Sequence, residues 1–435
     1  MPAAPDLPLI PTGTDAASPV CVAFSGGLDS AVLLHRLASD PLQRERGLRA
    51  VHVHHGLHAD ADAWSAHCKD ACAALGVPLD VRRVTVDRDA GLGPEAAARA
   101  ARRAAFADVL GDDEVLALAQ HRDDQAETFL LRALRASGPE GLAAIRPWRR
   151  FARGWMWRPL LETPRARLHV WAEAHGLRWI EDPGNADLAL DRNFLRHRVL
   201  PLLRERWPQA TAAFAQSAAL SADAADLLAA HDPGLLATVR EEVGHGLSVQ
   251  RLRALAPAKR ARVLRHWVAT LGWPPLPADA IATIETQLLA AAVAADRSPA
   301  HAWHGVEIRR WHDALHAVDP RHALPEGWSC DWDGRAPLAL PNGDRLALTG
   351  IDGFPSPVRV QARVGGERIR LPDRGHHHTL KHVLQDHGIP PWERARLPLL
   401  ATRGGDLLAV GDTIRSDAFD QWLGAVGADL AWTHV

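Results

Sequence analysis

The sequence has no tyrosine, only four cysteines and no long uninterrupted apolar run. No two of the cysteines form a C-x-x-C pair, so the sequence indicates neither a disulfide framework nor a cysteine zinc site. No stretch reaches the ~20 apolar residues of a membrane span. The opening 18 residues are rich in proline and lack the basic start and apolar core of an export signal. We therefore expect a cytoplasmic protein that contacts no membrane.

Two common phosphate-binding patterns are also missing, and the net charge gives little guidance. The chain has neither the G-x-x-x-x-G-K-[ST] Walker loop nor the G-x-G-x-x-G dinucleotide fingerprint. Its formal net charge is −2, so composition alone gives no argument for a nucleic-acid partner. With 435 residues, of which 47% are apolar, the chain is long enough for two or three globular domains.

The first half of the chain alternates strand and helix patterns. Strand patterns cover residues 20–24, 48–54, 79–86 and 115–119, and helix patterns cover residues 31–37, 61–75 and 94–110. This alternation predicts a parallel sheet covered by helices on both faces, with ligands at the carboxyl ends of the strands.

Two later regions differ from this pattern. Residues 214–295 are rich in alanine and leucine at helical spacing, and the chain beyond residue 320 shows turns and short alternating runs. We therefore predict an α/β fold with a parallel-sheet N-terminal domain, then a helical domain, then a small α/β C-terminal domain. The predicted boundaries are an N-terminal tail at 1–18 and domains at 19–213, 214–322 and 323–435.

A glycine-rich turn follows the first predicted strand. The turn comprises Ser25, Gly26, Gly27, Leu28, Asp29 and Ser30. Free backbone N–H groups at a helix start favour anions, and glycines let a phosphate approach the backbone closely. The two serines add hydroxyl donors, and Asp29 offers an oxygen ligand for magnesium. The alternative is a serine-capped helix after a Gly-Gly turn, which needs no ligand.

A second polar cluster, from Gln120 to Thr128, follows the fourth predicted strand. In a helix that begins here, Asp124, Glu127 and Thr128 share one face, which puts two carboxylates at the carboxyl end of a strand. A magnesium–pyrophosphate complex needs such oxygen ligands. The alternative is an acidic helix start in which Asp123 or Asp124 is the N-cap.

Arginine-rich segments favour an RNA partner. Residues 146–158 interleave five arginines with four aromatic residues, and residues 192–206 hold five more arginines. Such a composition suits phosphate contacts and base stacking. The helix pattern from residue 94 adds Arg99 and Arg103 on one face. The alternatives are solvated basic faces with tryptophans as core anchors and, for Arg99, a surface pair with Glu95.

Histidines cluster in the second predicted strand and at residues 376–378. Strand alternation points His54 and His55 to opposite faces, which disfavours a zinc site there. Adjacent histidines in a turn are more often solvated than metal-bound. We expect His54 to contact the nucleotide base.

The motifs together resemble one family. The S-G-G-x-D-S loop at 25–30 resembles the pyrophosphate loop of enzymes that split ATP into AMP and pyrophosphate. Combined with H-x-D-D-Q-x-E-T at 121–128, which begins at His121, it is similar to the tRNA(Ile)-lysidine synthetase family. Further matches lie at 53–57, 158–161, 181–183, 192–197, 380–381 and 389–394. The chain departs from the family at 137–142, where Pro139 and Glu140 interrupt a glycine-rich segment, and at Gly184, where serine is usual.

The resemblance implies a fold, a reaction and partners. It implies an adenine nucleotide alpha hydrolase-like N-terminal domain and a carbon–nitrogen ligase that uses ATP and magnesium. The reaction implied is attachment of free L-lysine to the wobble cytidine of tRNA(Ile) with a CAU anticodon through an adenylated intermediate. Whether the chain forms a homodimer is left open.

The resemblance and the residue pattern together give a set of candidate site residues. The candidate catalytic residues are Asp29, His121 and Asp124. The candidate ATP-binding residues are Ser25, Gly26, Gly27, Leu28, Asp29, Ser30 and His54, and the candidate magnesium ligands are Asp29 and Asp124. The candidate tRNA-binding residues are Arg99, Arg103, Arg149, Arg150, Arg192, Arg196, Lys381 and Arg394.

Three other functions remain to be weighed. A related enzyme that thiolates tRNA needs a cysteine persulfide or an iron–sulfur cluster, which the absence of C-x-x-C disfavours. Cys68 and Cys72 are one turn apart on what we expect to be a surface helix. A non-catalytic tRNA-binding module is disfavoured by the intact loop and acidic motif. An amidotransferase needs a glutaminase domain before the first strand, which we do not expect in about 18 residues.

Overall fold

The computed structural model describes residues 18–56, 58–86, 94–241, 246–290, 298–318, 323–372 and 376–433. The chain divides into two compact units between His231 and Asp232. Within the described residues, no helix is both long and apolar enough to cross a membrane.

The first unit is built on a six-stranded sheet. Its strands are β1 (Val20–Ala23), β2 (Leu48–His54), β3 (Leu79–Arg83), β4 (Val115–Ala117), β5 (Trp148–Phe151) and β6 (Gly154–Trp157). Their order is β3-β2-β1-β4-β6-β5, and all neighbours are parallel except the β5–β6 hairpin. The predicted parallel sheet is confirmed, and the sheet gains an antiparallel edge from the arginine-rich segment.

Helices cover this sheet and extend beyond it. They are α1 (Leu28–Ala38), α2 (Pro41–Glu45), α3 (Ala61–Leu75), α4 (Pro94–Val109), α5 (Arg122–Ala133), α6 (Pro139–Leu142), α7 (Arg165–Ala174), α8 (Asp191–Phe194), α9 (Leu200–Arg206) and α10 (Ala210–Ala229). A 3₁₀ turn at Pro183–Ala186 and a π turn at Leu195–Val199 interrupt the last part of the unit.

Both faces of the sheet are buried, as the continuous apolar runs of its strands require. On one face, Leu33 and Leu37 of α1 pack with Trp171 of α7 and the two cysteines of α3. On the other face, Phe106 of α4 packs against Leu116 and neighbouring strand residues. This two-layer cover leaves the carboxyl ends of the strands as the edge at which the loops converge.

In the part of the second unit that the structure describes, helices combine with four small sheets. Its helices are α11 (Asp232–Val239), α12 (Val249–Ala254), α13 (Pro257–Thr270), α14 (Ala278–Thr283), α15 (Leu380–Asp386), α16 (Pro391–Arg394) and α17 (Asp417–Val426). Its strands are β7 (Leu247–Ser248), β8 (Ala300–Trp303), β9 (Val306–Trp311), β10 (Ala314–Val318), β11 (Ser329–Trp332), β12 (Leu338–Ala339), β13 (Arg345–Thr349), β14 (Val358–Gln361), β15 (Arg368–Ile369), β16 (His378–Thr379), β17 (Leu399–Ala401), β18 (Leu407–Val410), β19 (Ile414–Arg415) and β20 (Asp429–Thr433).

The second unit has two kinds of core. Between residues 236 and 315, helices pack on the sheet β7-β10-β9-β8 around the fully buried Trp267. From residue 324 onward, the small sheets enclose separate apolar clusters with α15 and α17. The structure thus places helix α10 in the first unit and an antiparallel sheet within residues 247–318, where the sequence pattern predicts helices. The three predicted domain boundaries stay a prediction.

Candidate active site

The glycine-rich turn connects the carboxyl end of β1 to α1. Gly27 is the N-cap of α1, and no side chain caps the helix, so its first N–H groups face outward. The Ser30 hydroxyl holds the turn together: it donates to the Gly27 carbonyl at 2.9 Å and lies 3.0 Å from the Ser25 hydroxyl. The backbone N–H of Ser25 donates to the same Ser30 oxygen at 3.3 Å. This arrangement is suited to cradling phosphate oxygens.

Gly26 sits at the tightest point of the turn. Its φ is +84°, and a Cβ there would lie 2.6 Å from Cδ1 of Ile180 and 2.9 Å from Sγ of Cys68. The backbone N–H of Ile180 also donates to the Gly26 carbonyl at 2.9 Å. Glycine is therefore required by both conformation and space, and the segment around Ile180 closes one side of the turn.

Asp29 lies in the first turn of α1 and is held by cations. Its Oδ2 is 3.6 Å from Nε2 of His121. Its Oδ1 is buried and accepts no hydrogen bond among the described residues, although Nε of Arg165 lies 3.5 Å away. Burial alone would raise the pKa of Asp29, but His121, Arg165 and Arg196 together hold that pKa below its ordinary value. Asp29 is therefore a carboxylate with one oxygen free to bind a further cation.

The acidic cluster begins helix α5 through a capping box. His121 is the N-cap, and its Nδ1 accepts from the Asp124 backbone N–H at 3.3 Å. Asp124 returns the interaction, since its Oδ2 accepts from the His121 backbone N–H at 3.0 Å. The alternative in which Asp123 or Asp124 is the N-cap is therefore wrong, and Asp124 takes the third position of the capping box. The histidine takes the N-cap position, and Asp123 instead accepts from the backbone N–H of Arg165 at 2.9 Å.

His121 is enclosed by carboxylates. Its side chain is 1% exposed, and Nε2 lies 3.5 Å from Oδ2 of Asp124 as well as 3.6 Å from Asp29. Burial lowers the pKa of His121, but the hydrogen bond that its ring donates to Asp29 and the charges of Asp124, Asp29 and Asp123 outweigh burial and raise it. A neutral ring that accepts at Nδ1 carries its proton on Nε2, directed at Asp29 and Asp124.

Two arginines of the predicted tRNA-binding set face inward. Arg192 and Arg196 donate from Nε to Glu127 at 2.7 and 2.6 Å, and from Nη2 to Oδ1 of Asp124 at 3.2 and 3.1 Å. The Glu127 side chain is fully buried, whereas that of Asp124 is 14% exposed. Helix α5 is thus locked to the segment 192–196 by a four-residue ion-pair network. Contact of these two arginines with tRNA stays a prediction.

His54, the predicted nucleotide contact, lies at the end of β2 and is mostly buried. Its Nε2 is 3.3 Å from Oδ1 of Asp62 and 3.5 Å from Nη1 of Arg83. One ring nitrogen is therefore already engaged by neighbouring residues. Contact between His54 and a nucleotide base stays a prediction.

The remaining predicted tRNA-binding residues lie in three places. Arg99 and Arg103 are exposed on α4, and Arg149 and Arg150 lie on the edge strand β5. In the second unit, Lys381 is exposed on α15, and Arg394 of α16 is partly buried, with Nε donating to the Ile389 carbonyl at 2.8 Å.

Arg165 and Ile180 belong to the site but carry no motif that sequence reasoning detects. Arg165 faces Asp29 because Asp123 caps the start of α7, a contact between segments 42 residues apart. Ile180 approaches Gly26 only through the fold of the first unit. Neither position has a characteristic residue type or spacing.

Three of the four cysteines, Cys21, Cys68 and Cys72, are interior residues, and Cys330 is partly exposed. Cys68 and Cys72 are 0% and 1% exposed, so the expected surface location is wrong. The reason is that α3 packs this face against the sheet under the glycine-rich turn. Burial raises the pKa of Cys68 to about 12 and that of Cys72 to about 11, so both thiols stay protonated at neutral pH.

Family models match most of the chain in three segments. A PP-loop domain matches residues 9–203, a TilS substrate binding domain matches residues 247–316, and a TilS substrate C-terminal domain matches residues 358–432. These segments include the glycine-rich turn and the acidic helix in the first unit, and both kinds of core in the second unit.

Curated relatives match over nearly their whole length. The tRNA(Ile)-lysidine synthase of Xanthomonas axonopodis pv. citri is 57% identical over 430 residues, covering 98% of this chain and 96% of the relative. The tRNA(Ile)-lysidine synthase of Xylella fastidiosa strain Temecula1 is 52% identical, covering 97% and 96%. Among solved structures, the U34-tRNA thiolase NcsA from Methanococcus maripaludis aligns with a TM-score of 0.39 at 17% identity, covering 54% of this chain and 79% of that one.

Proposed function

The chain belongs to the tRNA(Ile)-lysidine synthase family, an ATP-using family of tRNA-modifying ligases, and on this premise we propose the details of its reaction. It joins free L-lysine to the ring carbon that bears the 2-oxo group of the wobble cytidine in tRNA(Ile) with a CAU anticodon. AMP and pyrophosphate are released, and the protein works in the cytoplasm, where tRNA is used. Oligomeric state enters no step of this proposal.

One observation supports the proposal most strongly. The phosphate-binding turn and the acidic helix meet at Asp29 and His121, whose side chains are 3.6 Å apart. A nucleotide bound at the turn therefore lies beside the carboxylates of α5. Activation by ATP and transfer to an amine both need such a place, where phosphate charge is stabilised and a proton is accepted.

In the first step, the 2-oxo oxygen of cytidine attacks the α-phosphorus of ATP. The new oxygen–phosphorus bond replaces the bond to pyrophosphate, which leaves. The free N–H groups at the start of α1 stabilise the charge on the departing group, and Ser25 and Ser30 hold the turn that presents them. Adenylation is required because the 2-oxo group is otherwise a poor leaving group.

Magnesium fits this site through Asp29 better than through Asp124. Asp29 has a buried oxygen without a hydrogen-bond partner, whereas both oxygens of Asp124 already accept from cationic or N–H donors. Within the described residues, no group of three or more histidine, cysteine, aspartate or glutamate side chains is placed so that it could hold a metal ion by itself. We therefore propose that Asp29 and phosphate oxygens of ATP hold the ion, which neutralises phosphate charge when bound.

In the second step, the ε-amine of lysine attacks the ring carbon and AMP leaves with the former 2-oxo oxygen. We propose that Asp124 accepts the proton that the amine loses. Its bonds to Arg192 and Arg196 are longer, at 3.2 and 3.1 Å, than the Glu127 bonds at 2.7 and 2.6 Å. The lysine ammonium can therefore replace an arginine at Asp124 while Glu127 keeps both arginines in place.

We propose that His121 is a positioning residue rather than a catalytic residue, because its 1% exposed side chain is out of reach of substrate. It holds the carboxylates of Asp29 and Asp124 in fixed relation and balances their charge. Its Nε2 proton lies between the two, so it transmits a change of charge at one carboxylate to the other.

Basic residues of both units are the proposed contacts for tRNA. Arg99, Arg103, Arg149 and Arg150 are available on α4 and β5, and Lys381 is available on α15. Arg192 and Arg196 contribute only if their ion pairs with Asp124 and Glu127 are shared with a phosphate. Arg394 contributes in the same manner from its partly buried position.

The experiment is a product assay with single omissions. The purified protein is supplied with ATP, magnesium, lysine and a transcript of tRNA(Ile) with a CAU anticodon, and AMP and pyrophosphate are measured. We expect sustained release of both only when tRNA and lysine are present. Equal release with a transcript whose anticodon begins with uridine would overturn the proposed substrate.

A further inference from the structure

Three arginines of the first unit share one face at the β5–β6 edge of the sheet. Arg149 pairs with Met156 across the hairpin, and the side chain of Arg158 reaches the same face, since Nη2 donates to Sδ of Met156 at 2.8 Å. Arg103 approaches from α4, with Cζ 5.1 Å from the ring centre of Phe151. Among the described residues, none of these three arginines forms an ion pair with a carboxylate.

Arg158 is the most buried of the three. It is 7% exposed, and its partners are neutral: the Gln120 side-chain oxygen, the Arg146 carbonyl at 2.6 Å and the Met156 sulfur. Burial, together with the nearby charges of Arg149 and Arg103, lowers the pKa of Arg158 to about 10. A buried cation without a counter-charge is costly, and proteins ordinarily pair such groups.

Arg149 is less buried and also lacks a counter-charge. Its Nε is buried and has no hydrogen-bond partner among the described residues. Burial is the main cause that lowers the pKa of Arg149, and the charge of Arg103 lowers it further. The neighbouring Arg150, on the opposite face of the strand, is by contrast 3.6 Å from Asp113 and stacked 4.3 Å over Trp155. Of the two faces of β5, the one shared with Arg103 and Arg158 therefore holds the arginines that have no carboxylate partner among the described residues.

A hollow adjoins this face. Its volume is about 460 Å³, and it is lined by Ala100, Arg103, Ala104, Ala107, Arg150, Phe151 and Ala152. Three alanines at spacings of four and three give it a flat apolar wall, and Arg103 and Phe151 stand at its side. Small-ligand sites usually occupy 300–1,000 Å³, so a hollow of this size accommodates a nucleoside.

We propose that Arg103, Arg149 and Arg158 bind one phosphate of the tRNA backbone and that the hollow takes the adjoining sugar or base. The inference rests on the proposed function, because that function supplies the RNA. The phosphate replaces the missing counter-charge, and an arginine beside an aromatic ring is a frequent setting for an unstacked base. The resulting contact is distinct from the reacting cytidine at the glycine-rich turn.

The position of β5 in the sheet favours RNA over ATP as the source of the phosphate. Strand β5 lies three strands from β1, which precedes the turn. At about 4.8 Å per strand, this separation is about 14 Å. Strands β4 and β6 therefore separate the phosphates of ATP bound at the turn from the arginines on β5. The RNA chain on either side of the reacting nucleotide is long enough to span this distance.

The test compares Arg149→Gln and Arg103→Gln with the control Arg153→Gln, each in the full chain. Arg153 lies in the same hairpin, but it is 61% exposed and faces Asp112 at 3.6 Å. Affinity for tRNA is measured across salt concentrations, ATP affinity is measured separately, and melting temperature is recorded without ligand. Arg103 is exposed, so its variant keeps the test valid if Arg149→Gln folds poorly.

We expect each test variant to weaken tRNA binding about 5- to 30-fold and to reduce the slope of log affinity against log salt by about 0.7–0.9. ATP affinity should stay within about twofold of the parent, and Arg149→Gln should not melt below the parent, because it removes charge repulsion. The control should keep the parent's tRNA affinity and slope.

Two results overturn the inference. One is unchanged tRNA affinity and slope in both folded test variants, and the other is loss of ATP affinity with tRNA affinity retained, which would assign the cluster to the nucleotide. Measuring lysine incorporation by the parent protein distinguishes these two results from a failure of the proposed function. If the parent incorporates lysine and the variants bind tRNA normally, only the phosphate site is refuted.

Discussion

Nε2 of His121 lies 3.6 Å from Oδ2 of Asp29, and this contact joins the two motifs of the first unit. Asp29 belongs to the helix that follows the glycine-rich turn, and His121 is the N-cap of the acidic helix. The contact also perturbs both groups in a matched way, lowering the pKa of the carboxyl and raising that of the imidazole. The two motifs therefore act as one electrostatic unit.

The first prediction concerns the glycine-rich turn. Asp29→Asn should reduce AMP formation by about 10²–10³-fold, because it removes a charge aimed at the phosphates and their cation. Ser30→Ala should lower activity and also cost about 1 kcal/mol of stability, because Ser30 links three groups of the turn. Turnover and tRNA affinity are measured in parallel, and tRNA affinity should change little.

The matched control for these variants is Ser39→Ala. Ser39 caps the other end of α1, and its hydroxyl donates only to the His35 carbonyl at 2.8 Å. The Ser39→Ala variant should therefore form AMP at the same rate as the parent protein. If Asp29→Asn also keeps the parent's rate, the nucleotide does not bind at this turn.

The second prediction is a pH dependence of stability that His121 controls. Its pKa is raised in the folded state, so its stabilising contribution is complete below the unfolded value of about 6.5 and is lost as pH rises through the folded value. His121→Asn keeps an N-cap residue but removes the titration. The parent should therefore exceed the variant in stability by more at pH 6 than at pH 9, by about 1.4 kcal/mol per pKa unit of displacement.

Denaturant unfolding at the two pH values measures this difference. Asp29 contributes in the opposite sense, because its lowered pKa gives stability above pH 4 that is lost only in acid. The titration of Asp29 therefore does not change the stability of the protein between pH 6 and pH 9. A stability difference that is equal at both pH values, or larger at pH 9, would contradict a raised pKa of His121 in the folded protein.

The glycine-rich turn could be predicted from sequence because its residues are contiguous. A loop of six consecutive residues, an apolar strand before it and a helix after it all depend on local spacing. The parallel sheet could be predicted for the same reason. The tRNA-binding role of Arg192 and Arg196, in contrast, was inferred from composition, which does not show that both guanidinium groups face Asp124 and Glu127.

The third prediction concerns that ion-pair network. Glu127→Gln should destabilise the first unit by about 3 kcal/mol, because it leaves two largely buried guanidinium groups without their fully buried partner. The control is Asp226→Asn, which breaks the pair with Arg146 at a 68% exposed carboxylate and should cost less than about 1 kcal/mol. Urea unfolding of both variants is the measurement. Equal, small costs would mean that the network contributes little to stability.

The fourth prediction separates lysine transfer from thiolation. A variant with all four cysteines replaced by alanine or serine should be less stable, because three of them are buried, but it should keep the parent's turnover per folded molecule. The raised pKa values of Cys68 and Cys72 leave little thiolate for sulfur chemistry. The assay is normalised to folded protein by circular dichroism. Loss of all activity in well-folded protein would favour a thiol-dependent reaction.

Several features of the site lay beyond sequence reasoning for physical reasons. The N-cap of α5 is histidine, which is not among the preferred capping residues, and its role depends on its burial beside Asp29. The antiparallel strands within residues 247–318 are short, at two to six residues each, so each one gives only a weak local pattern. Arg165 approaches Asp29 only through tertiary packing.

The most direct test of the central claim is the mass of the modified tRNA. The protein is incubated with ATP, magnesium, lysine and a tRNA(Ile) transcript with a CAU anticodon, and the nuclease fragment that contains the wobble position is analysed by mass spectrometry. Our account predicts that the wobble cytidine gains the mass of lysine less water and that Asp29→Asn abolishes most of this gain. A gain of sulfur mass, or an unmodified cytidine after AMP has been released, would contradict it.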